Sequence, residues 1–354
     1  MSEIINVMNP ATGELIEKIT LQTEEEINHA IQASERAFED YKNKDAHERA
    51  ALLRKWHEKI ELNKEGVAKT ITVENGKPYK EALAEVDSAL SYIEWYAEES
   101  KRIYGRTVPA NTKDKRIIVS KAPIGPVAAI TPWNFPGSMM VRKAAPALAA
   151  GCTFMVKPAQ EAPLTTMLLI DLAHEAGFSE DVIQYVNTHG RLAGEIFSKH
   201  DAIKKITFTG STAVGKDLIR KSAETVKSVT MELGGHAPVI VCDDADIDDA
   251  VEQTLMTKFR NAGQTCICAN RVFVHESIMD AFANKLAYQA NKLVVGNGLK
   301  EDTDVGPVIN QASYDKIQAQ IEDALSKGAT ILTDQLVEPQ PEGTYFIAPT
   351  VLKM

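Results

Sequence analysis

Apolar residues recur at helical spacing through the N-terminal part of the chain. They lie at positions i, i+3, i+4 and i+7 across residues 23–41, 46–62 and 85–100, a pattern typical of amphipathic helices. Thr23 and Glu26 have the spacing of a capping box at the start of the first of these helices. We therefore predict a mostly helical segment that follows a turn-rich start at "MNPATGE".

The pattern changes at residues 104–122, where β-branched residues flank a polar centre in "TVPANTKDKRIIV". This arrangement predicts a β-hairpin, although a solvent-exposed loop explains the composition equally well. A protruding hairpin of this kind has a free edge that is suited to assembly with another subunit.

Short apolar runs alternate with helix-length segments between residues 125 and 245. Strands that are apolar on both faces and separated by helices indicate a parallel sheet covered on both sides. We predict an α/β fold with a doubly wound, Rossmann-type sheet here and a second α/β layer after residue 245. The apolar runs are "PVAAITP", "CTFMVKP", "VIQYVN", "KKITFTG", "SVTMELGG" and "APVIVCD".

Polar side chains follow four of these runs where each predicted strand ends. Trp133 and Asn134 follow the first, Lys157 ends the second, residues 209–211 end the fourth, and Glu232 ends the fifth. Ligands of open parallel sheets bind outside the carboxyl ends of the strands, so these residues are expected to converge on one crevice. Taken singly, each also fits an exposed strand end, a helix cap or a core tryptophan.

Composition narrows the class of protein. A chain of 354 residues with 44% apolar and 25% charged residues is globular and long enough for two or three domains. Its net charge of −10 does not favour a nucleic-acid partner, and we identify no transmembrane stretch or signal peptide. Few and scattered cysteines, four in all, are typical of a reducing cytoplasm.

Two cysteines, Cys266 and Cys268, stand one residue apart in "RNAGQTCICANR". A zinc site needs about four ligands, and the neighbouring residues do not supply them. A structural disulfide between such close positions is hard to close without strain. Inert buried thiols and a single nucleophile with a neighbour therefore both remain open. The loop "GSTAVG" suits a phosphate group only weakly, because no complete glycine-rich nucleotide motif is present.

Five segments taken together, "TPWNFP", "KPA", "FTGST", "MELGG" and "FRNAGQTC", resemble the aldehyde dehydrogenase superfamily in order and spacing. The resemblance covers essentially the whole chain, and "VRKAAPALAAGCT" is similar to the succinate-semialdehyde dehydrogenase group. It implies an NAD(P)-binding domain at residues 1–103 and 123–233. It further implies an oligomerisation hairpin at 104–122 and a catalytic domain at 234–354.

The resemblance also implies a role for each matching residue. Cys266 matches the nucleophile, Glu232 the general base and Asn134 the side-chain donor to the oxyanion. Arg142 and Arg260 match arginines that hold the distal carboxylate of the substrate, although Arg142 also fits an exposed helical residue. The residues that match contacts to NADP or NAD are Thr131, Pro132, Trp133, Lys157, Gln160, Gly194, Thr209, Gly210, Ser211, Val214 and Leu233.

The implied activity is oxidation of an aldehyde to a carboxylate with NAD(P)+, through a cysteine thiohemiacetal and thioester and without a metal. Succinate semialdehyde is the expected substrate, and neither nucleic acid nor membrane is an expected partner. Two alternatives stay open: the same chemistry on an uncharged or amino aldehyde, and a cofactor-binding chain without turnover. Members of the family are homo-oligomers, so we expect a dimer or tetramer in the cytoplasm.

Two features depart from the family pattern. Gln160 stands where NAD-preferring relatives often carry a glutamate, and His189 and Arg191 are unusual near the pyrophosphate turn. These residues favour NADP while permitting NAD. The chain also stops at "APTVLKM", where other members continue, so we expect a truncated product with an incomplete catalytic domain.

Overall fold

The computed structural model describes residues 3–334, 337 and 340–354. The chain forms two compact units. The first contains residues 1–5, 19–67 and 85–232, and the second contains residues 6–18, 68–84 and 233–354. Segments 6–18 and 68–84, which the sequence analysis assigned to a cofactor domain, thus belong to the second unit. No helix among the described residues is long and apolar enough to cross a bilayer.

The N-terminal part is helical, but two strands come first. These strands form a two-stranded sheet that was not predicted, because the residues between them indicate only a turn. Glu26 N–H donates to the Thr23 hydroxyl at 3.3 Å and Thr23 N–H donates to the Glu26 carboxylate at 2.7 Å, so the capping box is confirmed. The elements are β1 (Ile4–Met8), β2 (Leu15–Thr20), α1 (Glu24–Tyr41), α2 (Ala46–Leu62), α3 (Lys64–Asn75) and α4 (Tyr79–Glu99).

A five-stranded sheet forms the centre of the first unit, in the order β7-β6-β5-β8-β9. The pairs β5–β6, β6–β7 and β5–β8 are parallel, and the order reverses between β5 and β8. The predicted doubly wound sheet is confirmed. Its strands are β5 (Val127–Ile130), β6 (Phe154–Lys157), β7 (Ile183–Tyr185), β8 (Lys205–Gly210) and β9 (Ser228–Leu233). The intervening helices are α5 (Pro136–Ala149), α6 (Leu164–Glu175), α7 (Gly190–Lys199) and α8 (Thr212–Ser222).

Two groups of helices bury the sheet. Helix α2 packs on α5 and α6, where Trp56 Nε1 donates to the Leu169 carbonyl at 2.9 Å. Helix α7 packs on α1 and α8, and this side contributes Ile27, Phe197 and Phe208 to one buried cluster. Residues of β5 and β6 are buried throughout, which explains why their sequences are apolar on both faces.

Residues 104–122 contain a hairpin of β3 (Arg106–Val108) and β4 (Ile117–Val119), which pair antiparallel. The prediction of a hairpin, as opposed to an irregular loop, is confirmed. All three residues of β4 are exposed, and Ile118 has 74% of its surface open to solvent.

The second unit has its own core around Val241, Val251, Phe282 and Leu286. Strand β10, which the sequence analysis placed in one series with β5–β9, instead pairs parallel with β11 in a separate sheet. The elements are β10 (Ala237–Val241), α9 (Ile247–Phe259), β11 (Ala269–Val274), α10 (Met279–Ala290), α11 (Gln311–Ser326), β12 (Thr330–Ile331) and β13 (Leu352–Lys353).

Candidate active site

The carboxyl ends of β5, β6 and β8 are aligned at one edge of the central sheet. Ile130, the last residue of β5, pairs with Lys157 on one side and Phe208 on the other. Thr131 N–H then donates to the Lys157 carbonyl at 3.1 Å, which extends this alignment by one residue. The reversal of strand order lies between β5 and β8, so the carboxyl ends of these two strands flank a topological switch point.

Two hydroxyls at this edge are buried without a partner. Among the described residues, neither Thr131 Oγ1 nor Thr209 Oγ1 has a hydrogen-bond partner. An unsatisfied buried hydroxyl costs about 1–3 kcal/mol. Thr131 directly follows β5, and Thr209 is the next-to-last residue of β8, one position beyond the paired Ile130 and Phe208. Pro132, Trp133 and Asn134, which come next in the chain after Thr131, are half-buried. This edge therefore offers polar atoms to a ligand at the switch point.

The start of α8 offers a second set of polar groups. Ser211 is its N-cap, and the Ser211 hydroxyl accepts Val214 N–H at 3.4 Å. Both residues are exposed, so the first turn faces solvent as an anion-binding helix N-terminus requires. Gly210 is required sterically, because a Cβ there would lie 2.5 Å from the Phe208 ring.

Gly194 has a packing role that the sequence did not show. It is buried in α7, and a Cβ there would lie 3.2 Å from a methyl group of Leu218 in α8. The small residue therefore permits close packing of α7 against α8.

Lys157 is buried at the end of β6. Burial lowers its pKa to about 8, and the negative charge of Glu161 offsets this only in part. A Cβ at Gly190, at the start of α7, would lie 3.9 Å from Lys157 Nζ. Gln160 Nε2 lies 3.2 Å from His189 Nδ1, while His189 Nε2 lies 2.9 Å from the Glu3 carboxylate. A lysine, an amide and a histidine thus surround the N-terminus of α7.

Arg142 and Glu232 lie close together in the first unit. Arg142 Nη2 is 3.9 Å from Glu232 Oε1, and the guanidinium carbon is 5.9 Å from the centre of the Tyr92 ring. Both charged side chains are about half exposed, so the pair contributes little to stability. Leu233 follows Glu232 at the end of β9 and is also exposed.

Two buried residues of this region escaped the sequence analysis. Lys143 Nζ donates to Thr207 Oγ1 at 3.1 Å, and burial, reinforced by the charge of Arg142, lowers its pKa to about 8. Glu85 Oε1 accepts the N–H groups of Gly137 and Ser138 at 2.9 and 3.2 Å, which fixes the start of α5. Neither residue belongs to a local motif, and only their burial reveals them.

The loop that carries Cys266, residues 260–268, belongs to the second unit. We call it the nucleophile loop, after the role that the resemblance implies for Cys266. Helix α9 ends at Phe259, and the exposed Arg260 then has an extended conformation. Asn261, Ala262 and Gly263 all have positive φ, at 50°, 54° and 75°. Each of the two non-glycine residues costs about 1–3 kcal/mol in this left-handed region. Helical periodicity alone would extend α9 through Ala262, but the chain reverses its handedness here.

Hydrogen bonds from distant segments hold the left-handed turn. Asn261 N–H donates to Glu81 Oε2 at 2.8 Å. Gln264 Nε2 donates to the Asn261 carbonyl at 2.9 Å, and Gln264 Oε1 accepts Ile309 N–H at 3.0 Å. The turn is therefore supported by α4 and by residues near 309.

The two cysteines of the loop have different surroundings. Cys266 is exposed, whereas Cys268 has 1% of its surface exposed and lies 3.6 Å from Lys258 Nζ. Lys258 also donates to Asn270 Oδ1 at 2.7 Å, so it ties the loop to the start of β11. Cys268 is thus a packed residue, and Cys266 is the thiol of this loop that is exposed to solvent. The two thiols are not joined in a disulfide.

A model of the aldehyde dehydrogenase family matches residues 1–354. The chain belongs to the aldehyde dehydrogenase family. A glutarate-semialdehyde dehydrogenase of Pseudomonas putida is 47% identical over 352 residues, which are 99% of this chain and 72% of that protein. An Escherichia coli succinate-semialdehyde dehydrogenase [NADP(+)] is 44% identical over 350 residues, which are 99% of this chain and 72% of that protein. The crystal structure of a Staphylococcus aureus betaine aldehyde dehydrogenase with NAD+ has a TM-score of 0.95 and 32% identity, and 99% and 72% of the two chains are covered.

The residues present fit the NAD(P) that aldehyde dehydrogenases use. The unpartnered hydroxyls of Thr131 and Thr209 lie at the switch point, where a dinucleotide binds in such sheets. The exposed first turn of α8 suits a pyrophosphate, and the buried Lys157 ammonium suits ribose hydroxyls. The described residues contain no group of three or more His, Cys, Asp or Glu side chains that could hold a metal ion.

Proposed function

We propose that this aldehyde dehydrogenase oxidises a semialdehyde with a distal carboxylate, such as succinate semialdehyde, to the dicarboxylate. The observation that supports this substrate class is the exposed Arg142 guanidinium 3.9 Å from the carboxylate of the proposed base, Glu232. A guanidinium at this place can bind a substrate carboxylate through two parallel hydrogen bonds. Arg260 is proposed as the second arginine of the substrate site.

The proposed roles follow the chemistry of each side chain. The Cys266 thiolate attacks the aldehyde carbon, and the Asn134 amide and Cys266 N–H donate hydrogen bonds to the oxyanion. Bound NAD(P)+ supplies a hydride acceptor. Glu232 takes a proton from the water that hydrolyses the cysteine thioester and releases the acid.

The cofactor is proposed to lie along the carboxyl ends of β5, β6 and β8. Thr131, Pro132, Trp133, Thr209 and Gly210 would border it at the switch point, and Leu233 beside the nicotinamide. Ser211 and Val214 would meet the pyrophosphate, with Gly194 supporting their helix. Lys157 would bind the adenosine ribose.

We propose a preference for NADP over NAD. Gln160 is neutral and hydrogen-bonded to His189, and Arg191 is exposed nearby, so none of these three side chains carries a negative charge that would repel a 2′-phosphate. Replacing Gln160 with Glu should weaken NADP binding about tenfold and leave NAD binding within twofold. Equal losses for both nucleotides, measured by fluorescence titration, would contradict this preference.

Turnover is tested by following NADPH formation with succinate semialdehyde. Cys266→Ser should abolish activity, whereas Cys242→Ser, which changes another exposed cysteine, should leave it unchanged. Glu232→Gln should retain a first burst of NADPH and slow the steady state, because it removes the base for thioester hydrolysis. If the wild-type chain binds NADP and shows no turnover, the chain is a cofactor-binding protein instead.

Substrate class is tested with two aldehydes of equal length. Arg142→Met and Arg260→Met should lower kcat/KM for succinate semialdehyde about 100-fold, since a charged hydrogen bond contributes about 1.5–3 kcal/mol. The same variants should leave kcat/KM for butanal within threefold. Equal losses with both aldehydes would refute carboxylate recognition.

The remaining proposals concern organisation. We propose that the first unit is the cofactor domain, that the second is the catalytic domain, and that the chain acts in the cytoplasm. We further propose that hairpin 104–122 joins copies of the chain, because β4 is exposed along its length. Ile118→Glu should then lower the mass measured by analytical ultracentrifugation, and an unchanged mass would refute this role.

A further inference from the structure

A glutamate far from the catalytic motif contacts the nucleophile loop. Glu81 lies in the first turn of α4, and its Oε2 accepts Asn261 N–H at 2.8 Å across 180 residues of sequence. Removal from solvent raises the pKa of Glu81, and the Asn261 N–H and the positive charges of Lys77 and Arg260 oppose this rise. The carboxylate is thus turned inward, toward the backbone of the loop.

The hydrogen bond from Asn261 N–H to Glu81 lies at the strained part of the nucleophile loop. Asn261 is buried and has φ 50° and ψ 41°, and Ala262 has φ 54° and ψ 33°. A residue held in this region persists only when its surroundings impose it. The turn precedes Gln264, Thr265 and Cys266 directly, so its handedness sets the direction in which the chain reaches Cys266.

The start of α4 is a rigid support for this contact. A Cβ at Gly306 would lie 2.0 Å from the Gly76 carbonyl oxygen, and a Cβ at Gly298 would lie 2.4 Å from the Lys77 carbonyl oxygen. Tyr79 N–H also donates to the Gly298 carbonyl at 2.8 Å. Backbones packed this closely leave little freedom for the segment that carries Glu81.

We propose that Glu81 is a positioning residue for the nucleophile: its carboxylate oxygen holds the Asn261 N–H and thereby keeps residues 261–263 in the left-handed turn that presents Cys266. This inference rests on the proposed role of Cys266. The essential feature is the acceptor oxygen, whereas the negative charge of Glu81 and its effect on Arg260 are secondary.

The test uses the whole chain and hydrogen–deuterium exchange read by mass spectrometry. Glu81→Met removes the acceptor at similar length and should speed exchange of loop amides roughly 10- to 100-fold. Glu81→Gln keeps an acceptor oxygen and should stay within threefold of wild type. The matched control is Glu94→Met, since Glu94 is an exposed residue of the same helix. Peptides from α9 and α10 should be unchanged in all three variants.

The same variants are also assayed for turnover. Glu81→Met should lower kcat about 10- to 100-fold with KM within threefold, because misplacing a reacting group by about 1 Å can cost that much. Glu81→Gln should recover most of kcat. Loop amides that exchange at the wild-type rate in Glu81→Met would overturn the proposal. A Glu81→Gln variant with the same losses as Glu81→Met would also overturn it.

The experiment distinguishes failure of the proposed function from failure of the proposed role of Glu81. A wild-type chain without turnover contradicts the proposed function, while the exchange comparison still decides the role of Glu81. If Glu81→Met does not fold, Glu81→Asp replaces it, because the shorter side chain withdraws the carboxylate from Asn261. Loop exchange should rise in Glu81→Asp and remain at the wild-type rate in Glu81→Gln; equal rates in both would overturn the proposal.

Discussion

Replacing Lys157 with Met should stabilise the free protein and weaken its binding of NADP. The ammonium is buried at the end of β6, and the negative charge of Glu161 offsets the cost of burial only in part. Methionine keeps the length of the stem and removes the charge. A residue retained only for stability would not show these opposite effects.

The pKa difference gives the size of the stability effect. The pKa of Lys157 falls from 10.5 to about 8, and each pKa unit corresponds to about 1.4 kcal/mol, so the charged form costs about 3 kcal/mol in the folded state. Below pH 8 both states hold the proton and the folded protein carries the whole cost. Between pH 8 and 10.5 the unfolded chain binds more protons, so stability rises with pH. Above this window the cost is gone.

The assay compares urea unfolding of wild type and Lys157→Met across this pH window, with Lys69→Met as an exposed lysine control. The variant should be more stable by up to about 3 kcal/mol near neutral pH, and the gain should vanish toward pH 10.5. NADP affinity should fall about 10- to 100-fold in the variant, because a hydrogen bond from a charged donor is lost. A less stable variant, or unchanged NADP affinity, would refute the reasoning.

Further predictions concern other buried groups. Lys143→Met should raise stability below pH 8 and lose this gain toward pH 10.5, since burial lowers the pKa of Lys143 from 10.5 to about 8 in the same way. Thr131→Val and Thr209→Val should each stabilise the free protein by about 1 kcal/mol, measured by urea unfolding, and weaken NADP binding in a fluorescence titration. Ala262→Gly should stabilise by about 1 kcal/mol in calorimetry, because glycine adopts positive φ without strain, and a lower Tm would contradict this.

The sequence was sufficient for the central sheet and its ligand edge. Apolar runs flanked by helices identified β5 to β9, and the topology of such sheets brought Asn134, Lys157 and Ser211 to one edge without knowledge of contacts. The first two strands were not predicted, because "MNPATGE" indicates a turn and does not show that strands lie on both sides of it. Strand β10 was misassigned because an apolar run does not reveal which sheet it joins.

The packing of single residues lay beyond sequence. Nothing in the sequence distinguishes the surroundings of Cys266 from those of Cys268. In the structure Cys266 is exposed, whereas Cys268, directly before β11, is buried against Lys258 of α9. Lys143 and Glu85 have ordinary sequence neighbours, and their importance depends on burial and on partners more than 50 residues away. Side chains of this kind are recognised only when three-dimensional contacts are known.

The nucleophile loop shows why a motif alone does not determine a site. Its letters, "FRNAGQTC", supply a thiol and an arginine, but helical periodicity would carry α9 through Ala262. The observed turn instead has positive φ at three consecutive residues, a conformation that local propensity disfavours for alanine. Its support comes from Glu81 and from Ile309, which lie on either side of the motif in sequence. The reactive groups therefore lie within the motif, whereas the backbone geometry of the motif depends on distant segments. Substitutions at Glu81 should accordingly change the position of Cys266.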